Sequence, residues 1–372
     1  MDLSYKTKVE KLLLKYLKKE TYSGCALGFS RIENEFIKRE LFFKGKINKN
    51  IDGIPVNKET FFDLASLTKP LVTVLSLLAL LKEGTISLND SIAELLPDQI
   101  CPQDKKKITL KNLITHTSGL PPHRPFYKNL SEKIKPTDNY LIVDLILREN
   151  LESLPGYKYI YSDLDYILLG CIIEQISKKK LAEFWREEIA KKLNISNSFY
   201  TYDCLDKSNY KSINFAETGK CFWSDVNLDG IVHDDNCRAM GSMRGHAGLF
   251  ANLDGVLGIC EFILDFYNKR KSESPIDRDI FTYFIRKKSK ENWAYGFDVV
   301  SGDTSSSGNL FSDESIGHLG YTGTSFWIDL KKNVIIVLLT NRVIFGSDSS
   351  KIKEMRPQIH NLLMEYIVKT DK

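Results

Sequence analysis

The stretch FFDLASLTKPLVTVLSLLALLKEG, residues 61–84, constrains this chain more than any other. Pro70–Leu81 is the longest uncharged apolar run, and it is too short to cross the roughly 30 Å hydrocarbon layer of a bilayer. A helix apolar on every face is stable in water only when buried on most sides, so this one belongs inside a large core. A length of 372 residues, with 42% hydrophobic and 27% charged content, suffices for one large domain or two subdomains. Packing alone does not explain the lysine at the head of the run. Lys69 stands three residues after Ser66, and both precede the apolar residues.

The ends of the chain carry strand signals and the middle carries helical ones. Val9, Leu12, Leu13, Tyr16 and Leu17 recur at helical spacing and predict an amphipathic N-terminal helix. CALGFSRI and ELFFKGKI read as strands joined by a polar hairpin, ENEFIKR. GTSFWIDL and NVIIVLLT form a second hairpin around Lys331 and Lys332. A closing helix is predicted to start near Pro357, with Ile359, Leu362, Leu363 and Tyr366 on one face. Between the ends, helical patterns fall at about 70–83, 110–116, 139–149, 163–178, 180–192 and 253–268. The predicted fold class is α/β (α+β): an antiparallel sheet flanked by the N- and C-terminal helices, with an inserted, mainly helical subdomain. Residues 1–65 and 295–372 would form the sheet part, residues 66–294 the helical part, with a cleft between them.

Composition removes several classes of function. The 52 basic and 48 acidic residues leave a net charge of +4, too even for a nucleic-acid partner. Seven scattered cysteines lack any CxxC spacing and six histidines lack an HExxH pairing, so neither a disulfide framework nor a metal site is expected, and no cofactor is implied. The N-terminal MDLSYKTKVEKLLLKYLKKE contains no apolar run of signal-peptide length, which makes a cytoplasmic protein without a membrane span the expectation.

Ser-x-x-Lys occurs four times, as Ser66/Lys69, Ser177/Lys180, Ser208/Lys211 and Ser350/Lys353. The last three read as accidental spacing in lysine-rich surface segments. Only Ser66 opens an apolar helix, where the lysine is forced into low-dielectric surroundings. Residues i and i+3 share a helix face, so the Ser66 hydroxyl and the Lys69 ammonium can meet. The helix N-terminus favours an oxyanion at Ser66, and burial is expected to lower the pKa of Lys69 toward that of a base. The bland alternative is an N-cap serine with a lysine reaching to solvent. A second element, PGYKYIYSDLDYILLG, puts Tyr161 just ahead of a helix, where a nearby ammonium would favour its phenolate. The alternative is a packing tyrosine, one of 17. A third, GHLGYTGTSFWIDL, crowds glycines at a strand entry. His318 there could supply a donor or positive charge, and the Tyr321 N–H could complete an oxyanion hole with that of Ser66. His246 in RGHAGLF and His116 in THTSG could line the cleft, although a loop histidine held by local hydrogen bonds is the preferred reading of each.

These elements, in this order, resemble the serine β-lactamase and penicillin-binding-protein superfamily, and most closely its class C β-lactamase-like hydrolases, which include DD-peptidases and esterases. LKEGTISLNDSIAELLPD, ITLKNLITHTSGLP and VHDDNCRAMGSMRGHAGLF extend the similarity from about residue 20 to the C-terminal helix. The resemblance implies a sheet-and-helix subdomain beside a helical one, with the site in the cleft. It assigns Ser66 as acylated nucleophile, Lys69 as its activating partner and Tyr161 as general base. His318 takes the place of the third-motif cation, followed by Leu319, Gly320 and Tyr321. Two residues depart from the family pattern. Asp163 replaces an asparagine, which removes an amide donor and favours a charged Lys69. Leu319 replaces a threonine whose hydroxyl helps bind substrate carboxylates, so activity on β-lactams or peptidoglycan stems is disfavoured relative to esters. The expected activity is a metal-independent serine hydrolase acting on a small-molecule ester, amide or peptide. A DD-carboxypeptidase or weak β-lactamase, and a non-catalytic binding protein retaining the fold, are the alternatives.

Overall fold

The structure, a computed structural model, describes residues 1–33, 36–130, 138–203, 213–221, 223, 225, 227–270, 274–286, 293–302 and 305–370. Cys204 and the Ser208/Lys211 pair lie outside them, as does part of the predicted 33–39 hairpin.

Helix α1 (Leu3–Lys18) is capped by Asp2 and precedes the antiparallel strands β1 (Gly24–Glu33) and β2 (Phe36–Gly45). Phe36 to Arg39, predicted as turn, belong to β2 and pair with β1 from Glu33 back to Ser30. As a sheet-edge strand with an exposed face, β2 tolerates those charges. A short strand, β3 (Phe62–Asp63), leads into the apolar helix, which runs from Ala65 to Lys82 and changes pitch twice. A 3₁₀ turn (Ala65–Leu67) gives way to a π-helical stretch (Lys69–Val74) and then to α2 (Leu75–Lys82). Pro70 explains the change, because it has no N–H to donate to the Ser66 carbonyl and its ring crowds that carbonyl. This helix has the length and hydropathy of a membrane span, yet 83% of that stretch is buried inside the fold.

Side-chain caps open the four helices that follow. Ser91 and Glu94 form a capping box for α3 (Ile92–Leu95), and Thr109 and Asn112 form one for α4 (Leu110–Ile114). Asp138 caps α5 (Asn139–Leu147) and Ser162 caps α6 (Asp163–Ser177). After α7 (Leu181–Trp185) come β4 (Phe199–Thr201), α8 (Asp235–Ala239), β5 (Leu249–Ala251), α9 (Leu253–Tyr267) and α10 (Arg278–Ile285). The chain returns to strands as β6 (Trp293–Ala294), β7 (Phe297–Val299), β8 (Ser315–Leu319), β9 (Ser325–Asp329) and β10 (Val334–Thr340). It ends on α11 (Ser350–Thr370).

The main sheet has the order β2-β1-β10-β9-β8-β7-β6, so the two ends of the chain meet where Cys25 pairs with Thr340 and Arg31 with Val334. On its outer face, α1 and α11 bury Val9, Leu13, Ile359 and Leu363 against Leu27, Trp327, Ile336 and Leu338. On its inner face lies α9, whose Leu253 and Leu257 reach into the space left by Gly28. The division at residues 66 and 294 therefore does not follow the layers at this point, since α9 belongs with the sheet. A second sheet, β3-β5-β4, positions Asp63 beside Phe250.

The closing helix starts at Ser350 and not near Pro357, which lies inside it. Ile352 and Met355 continue the buried face of Ile359 toward the N-terminus, and their burial outweighs the roughly 3 kcal/mol that an interior proline costs. Leu338 lies fully buried between β1 and β9 under that helix. Leu338→Ala is expected to lower stability by about 2–5 kcal/mol, read as a shift of the urea midpoint at unchanged slope.

Candidate active site

The backbone ahead of Ser66 is held in an unusual shape. Ala65 adopts φ 48°, a left-handed conformation that L-residues with a Cβ seldom take. Asp63 supports it: Oδ1 accepts the Ala65 N–H at 2.8 Å, while Oδ2 accepts the His233 N–H at 2.7 Å. Burial pushes the Asp63 carboxyl up to about 6. Ser66 follows in the 3₁₀ turn, partly exposed, while Lys69 one turn on is completely buried.

Lys69 Nζ donates to Ser66 Oγ at 3.0 Å and to Asp163 Oδ1 at 2.7 Å, with the His246 carbonyl at 3.5 Å. It also lies 4.9 Å from the centre of the Tyr161 ring, and the Tyr161 hydroxyl hydrogen-bonds both Lys69 and Ser66. The expectation that burial lowers the Lys69 pKa needs correction here, whereas the expectation that Asp163 favours a charged Lys69 holds. Burial does push the ammonium down, but the Asp163 carboxylate and Tyr161 outweigh it and hold Lys69 above the ordinary lysine value. Burial likewise raises the Tyr161 phenol against the opposing pull of Lys69, so the resting cluster contains an ammonium and a neutral phenol.

His318 projects from β8 toward this cluster, its ring 6.3 Å from that of Tyr161. Its Nδ1 pairs with the Leu319 carbonyl at 2.9 Å. Burial, then the Lys69 charge, lower its pKa to about 3, so His318 offers a neutral imidazole in place of the expected cation. Leu319 ends the strand. Gly320 is the only residue type that fits next, since a Cβ there would lie 2.0 Å from Thr324 Oγ1 and 2.6 Å from the Leu64 carbonyl. Tyr321 is half exposed, packed against the His233 ring at 5.6 Å and under the Arg342 guanidinium at 4.8 Å.

Of the two remaining histidines, His116 lies beneath Tyr161 with ring centres 4.5 Å apart. Its Nδ1 accepts the Ser162 N–H at 3.1 Å and faces Asp165 at 3.2 Å. Burial lowers the His116 pKa and raises that of Asp165. His246 gives its carbonyl to the Lys69 side, while its ring Nε2 lies 2.9 Å from Asp234 Oδ1. The His116 ring thus supports the Ser162 backbone, and the His246 ring holds the Asp234 carboxylate.

Several participants were missed from the sequence. Thr322 and Thr324 donate to the Asp63 and Leu64 carbonyls at 2.7 and 3.1 Å, pressing the β8–β9 turn onto the segment before Ser66. Arg356 of α11 donates to the Gly320 and Thr324 carbonyls on the same turn. His123 stands 3.9 Å from Asp163 Oδ2. Only Asp63 left a readable signal, an aspartate two residues ahead of Ala65 where its side chain closes an Asx-turn.

The Beta-lactamase family model matches residues 40–356, and the chain belongs to that family. It is a serine hydrolase by that membership. A relative from Escherichia coli (strain K12), named "Putative D-alanyl-D-alanine carboxypeptidase", is 30% identical over 311 residues, covering 76% of this chain and 69% of its own. One of the same name from Salmonella agona (strain SL483) is 29% identical over 308 residues, with the same coverage. Among solved structures, "Beta-Lactamase/D-Alanine Carboxypeptidase from Pseudomonas syringae" superposes with a TM-score of 0.73 at 18% identity, over 98% of this chain and 99% of that one. "EstCE1, a hydrolase with promiscuous acyltransferase activity" gives 0.72 at 18% identity, over 95% and 98%. These structures establish the shared β-lactamase-like fold.

Neutral His318 makes a checkable contribution to stability. The unfolded chain takes up a proton at this residue near pH 6.5, the folded one only near pH 3. The stability that depends on the neutral ring is whole above pH 6.5 and is lost progressively as pH falls toward 3. Urea melts should show that acidification from pH 7 to 4 costs the native protein roughly 3 kcal/mol more than it costs His318→Asn. Equal losses would mean that the folded protein protonates His318 freely.

Proposed function

We propose that this protein hydrolyses esters, and small amides more slowly, through an acyl-enzyme on Ser66. The observation that carries the reading is the contact of Ser66 Oγ with Lys69 Nζ at 3.0 Å, with the Tyr161 hydroxyl bonded to both. Ser66 Oγ attacks the acyl carbon, and the carbonyl oxygen becomes an oxyanion facing the N–H groups of Ser66 and Tyr321. The serine proton leaves through Lys69 in a relay: the ammonium, held charged by Asp163 at 2.7 Å, accepts it only as it hands one of its own protons to Tyr161. Tyr161, bonded to both, carries a proton to the departing alkoxide or amine and takes another proton in return from Lys69. Collapse leaves the acyl-serine, and a water activated by the same groups releases the acid.

The polar groups of the cleft favour a neutral leaving group over a carboxylate-bearing one. Lys69 is neutralised by Asp163, His318 is uncharged, and Leu319 provides no hydroxyl, so a carboxylate at this end meets neither a free charge nor a donor from these three. A second reading, DD-carboxypeptidase activity, is favoured by the names of the relatives from Escherichia coli and Salmonella.

Ser66→Ala should reduce hydrolysis of a p-nitrophenyl ester at least a thousandfold and remove labelling by a fluorophosphonate, read by intact mass, at an unchanged unfolding midpoint. Turnover retained in that variant would refute the assignment of the nucleophile. Release of D-alanine from a D-Ala-D-Ala peptide at a rate above that of ester hydrolysis would put the carboxypeptidase reading first.

A further inference from the structure

Asp163 holds more acceptor capacity than Lys69 uses. Oδ1 takes the ammonium at 2.7 Å, whereas Oδ2 faces His123 Nδ1 at 3.9 Å, beyond hydrogen-bond reach. The Asp163 side chain is 23% exposed, so the carboxylate is partly open to solvent although Lys69 is not. Because Lys69 Nζ bridges Ser66 Oγ and Asp163, the carboxylate stands one hydrogen-bonded nitrogen away from the nucleophile. A substituent on the carbon next to a scissile carbonyl spans such a gap.

The chemistry of that oxygen is selective. An amide at this position would donate as well as accept, and could serve a substrate carbonyl. A carboxylate only accepts, repels a carbonyl oxygen, and bonds most strongly to a charged donor. The cationic side chains have partners of their own: Arg124 pairs with Glu149 at 2.8 Å, Arg238 with Asp235, and Lys69 with Asp163 itself. His318 is neutral, and Asp234, held well below the usual carboxylate range chiefly by His246 against the effect of burial, adds a second negative charge within the influence of His123. His123 covers Oδ2 without bonding it, so an arriving donor displaces a contact and no hydrogen bond.

We infer that Asp163 is a specificity-determining residue whose Oδ2 accepts the ammonium of the substrate, which makes α-amino acyl esters and amides the preferred class. The inference rests on the serine-hydrolase reading above. It is tested on the native protein and Asp163→Asn with a ladder of alanine methyl ester, N-acetylalanine methyl ester and methyl propionate, in both alanine configurations. At pH 6.5 the α-amino group is mostly protonated. The native protein should show a kcat/KM for one alanine methyl ester about tenfold or more above methyl propionate and above the acetylated ester. In Asp163→Asn that ratio should fall to within about twofold, a change in selectivity that altered positioning of Lys69 alone would not produce. Equal turnover of the three esters by the native protein, or a ratio unchanged in the variant, overturns the inference while leaving ester hydrolysis intact. Turnover of none of them removes the hydrolase reading itself, and the inference with it. Equal turnover of the three esters by the native protein overturns the proposal even where the variant is inactive.

Discussion

An ammonium with no exposed surface is the constraint around which this molecule is arranged. Lys69 begins the most apolar helix of the chain, where an unpaired charge would cost several kcal/mol even after relaxation. Its partners come from different parts of the fold: Asp163 from the first turn of α6, Tyr161 from the loop before it, and the His246 carbonyl from the loop before β5. Packing α6 and the loop before β5 against the Lys69 helix is therefore also what solvates its charge. The apolar core and the reactive cluster form together, and a change that loosens one disturbs the other.

The readable and unreadable parts of this architecture divide on physical grounds. Long elements with a clear period were legible: α6, α9 and β10 lie within one residue of their predicted spans. The short β3, β4, β6 and α8 were not, because each has too few residues to show a period of its own. The start of α11 was misplaced because a proline normally marks a helix boundary, and only burial of Ile352 and Met355 against the sheet shows that it does not do so here. For the site, spacing brought Ser66 and Lys69 together correctly, since three residues on a helix fix a distance. Spacing could not foresee the charge states: that of Lys69 was legible only through the Asp163 replacement, 94 residues away, and those of Tyr161 and His318 depend on burial, which no local pattern records.

Geometry and charge are set by separate structures in this cleft. The backbone around Ser66 is shaped by Asp63 through the Ala65 N–H, and the β8–β9 turn is pinned to the same segment by Thr322 and Thr324 from one side and Arg356 from the other. None of these contacts involves Asp163, Leu319 or the His318 ring. Residues that depart from the family pattern can thus differ without moving Ser66 or the turn packed on the segment before it. In the proposed reading, an acidic second motif and an apolar third motif act in the same direction: they take away welcome for a carboxylate beyond the scissile bond and add welcome for a donor before it. Under that proposal the two replacements are parts of one change in selectivity, exerted on a backbone framework that Asp63 and the two threonines keep in place.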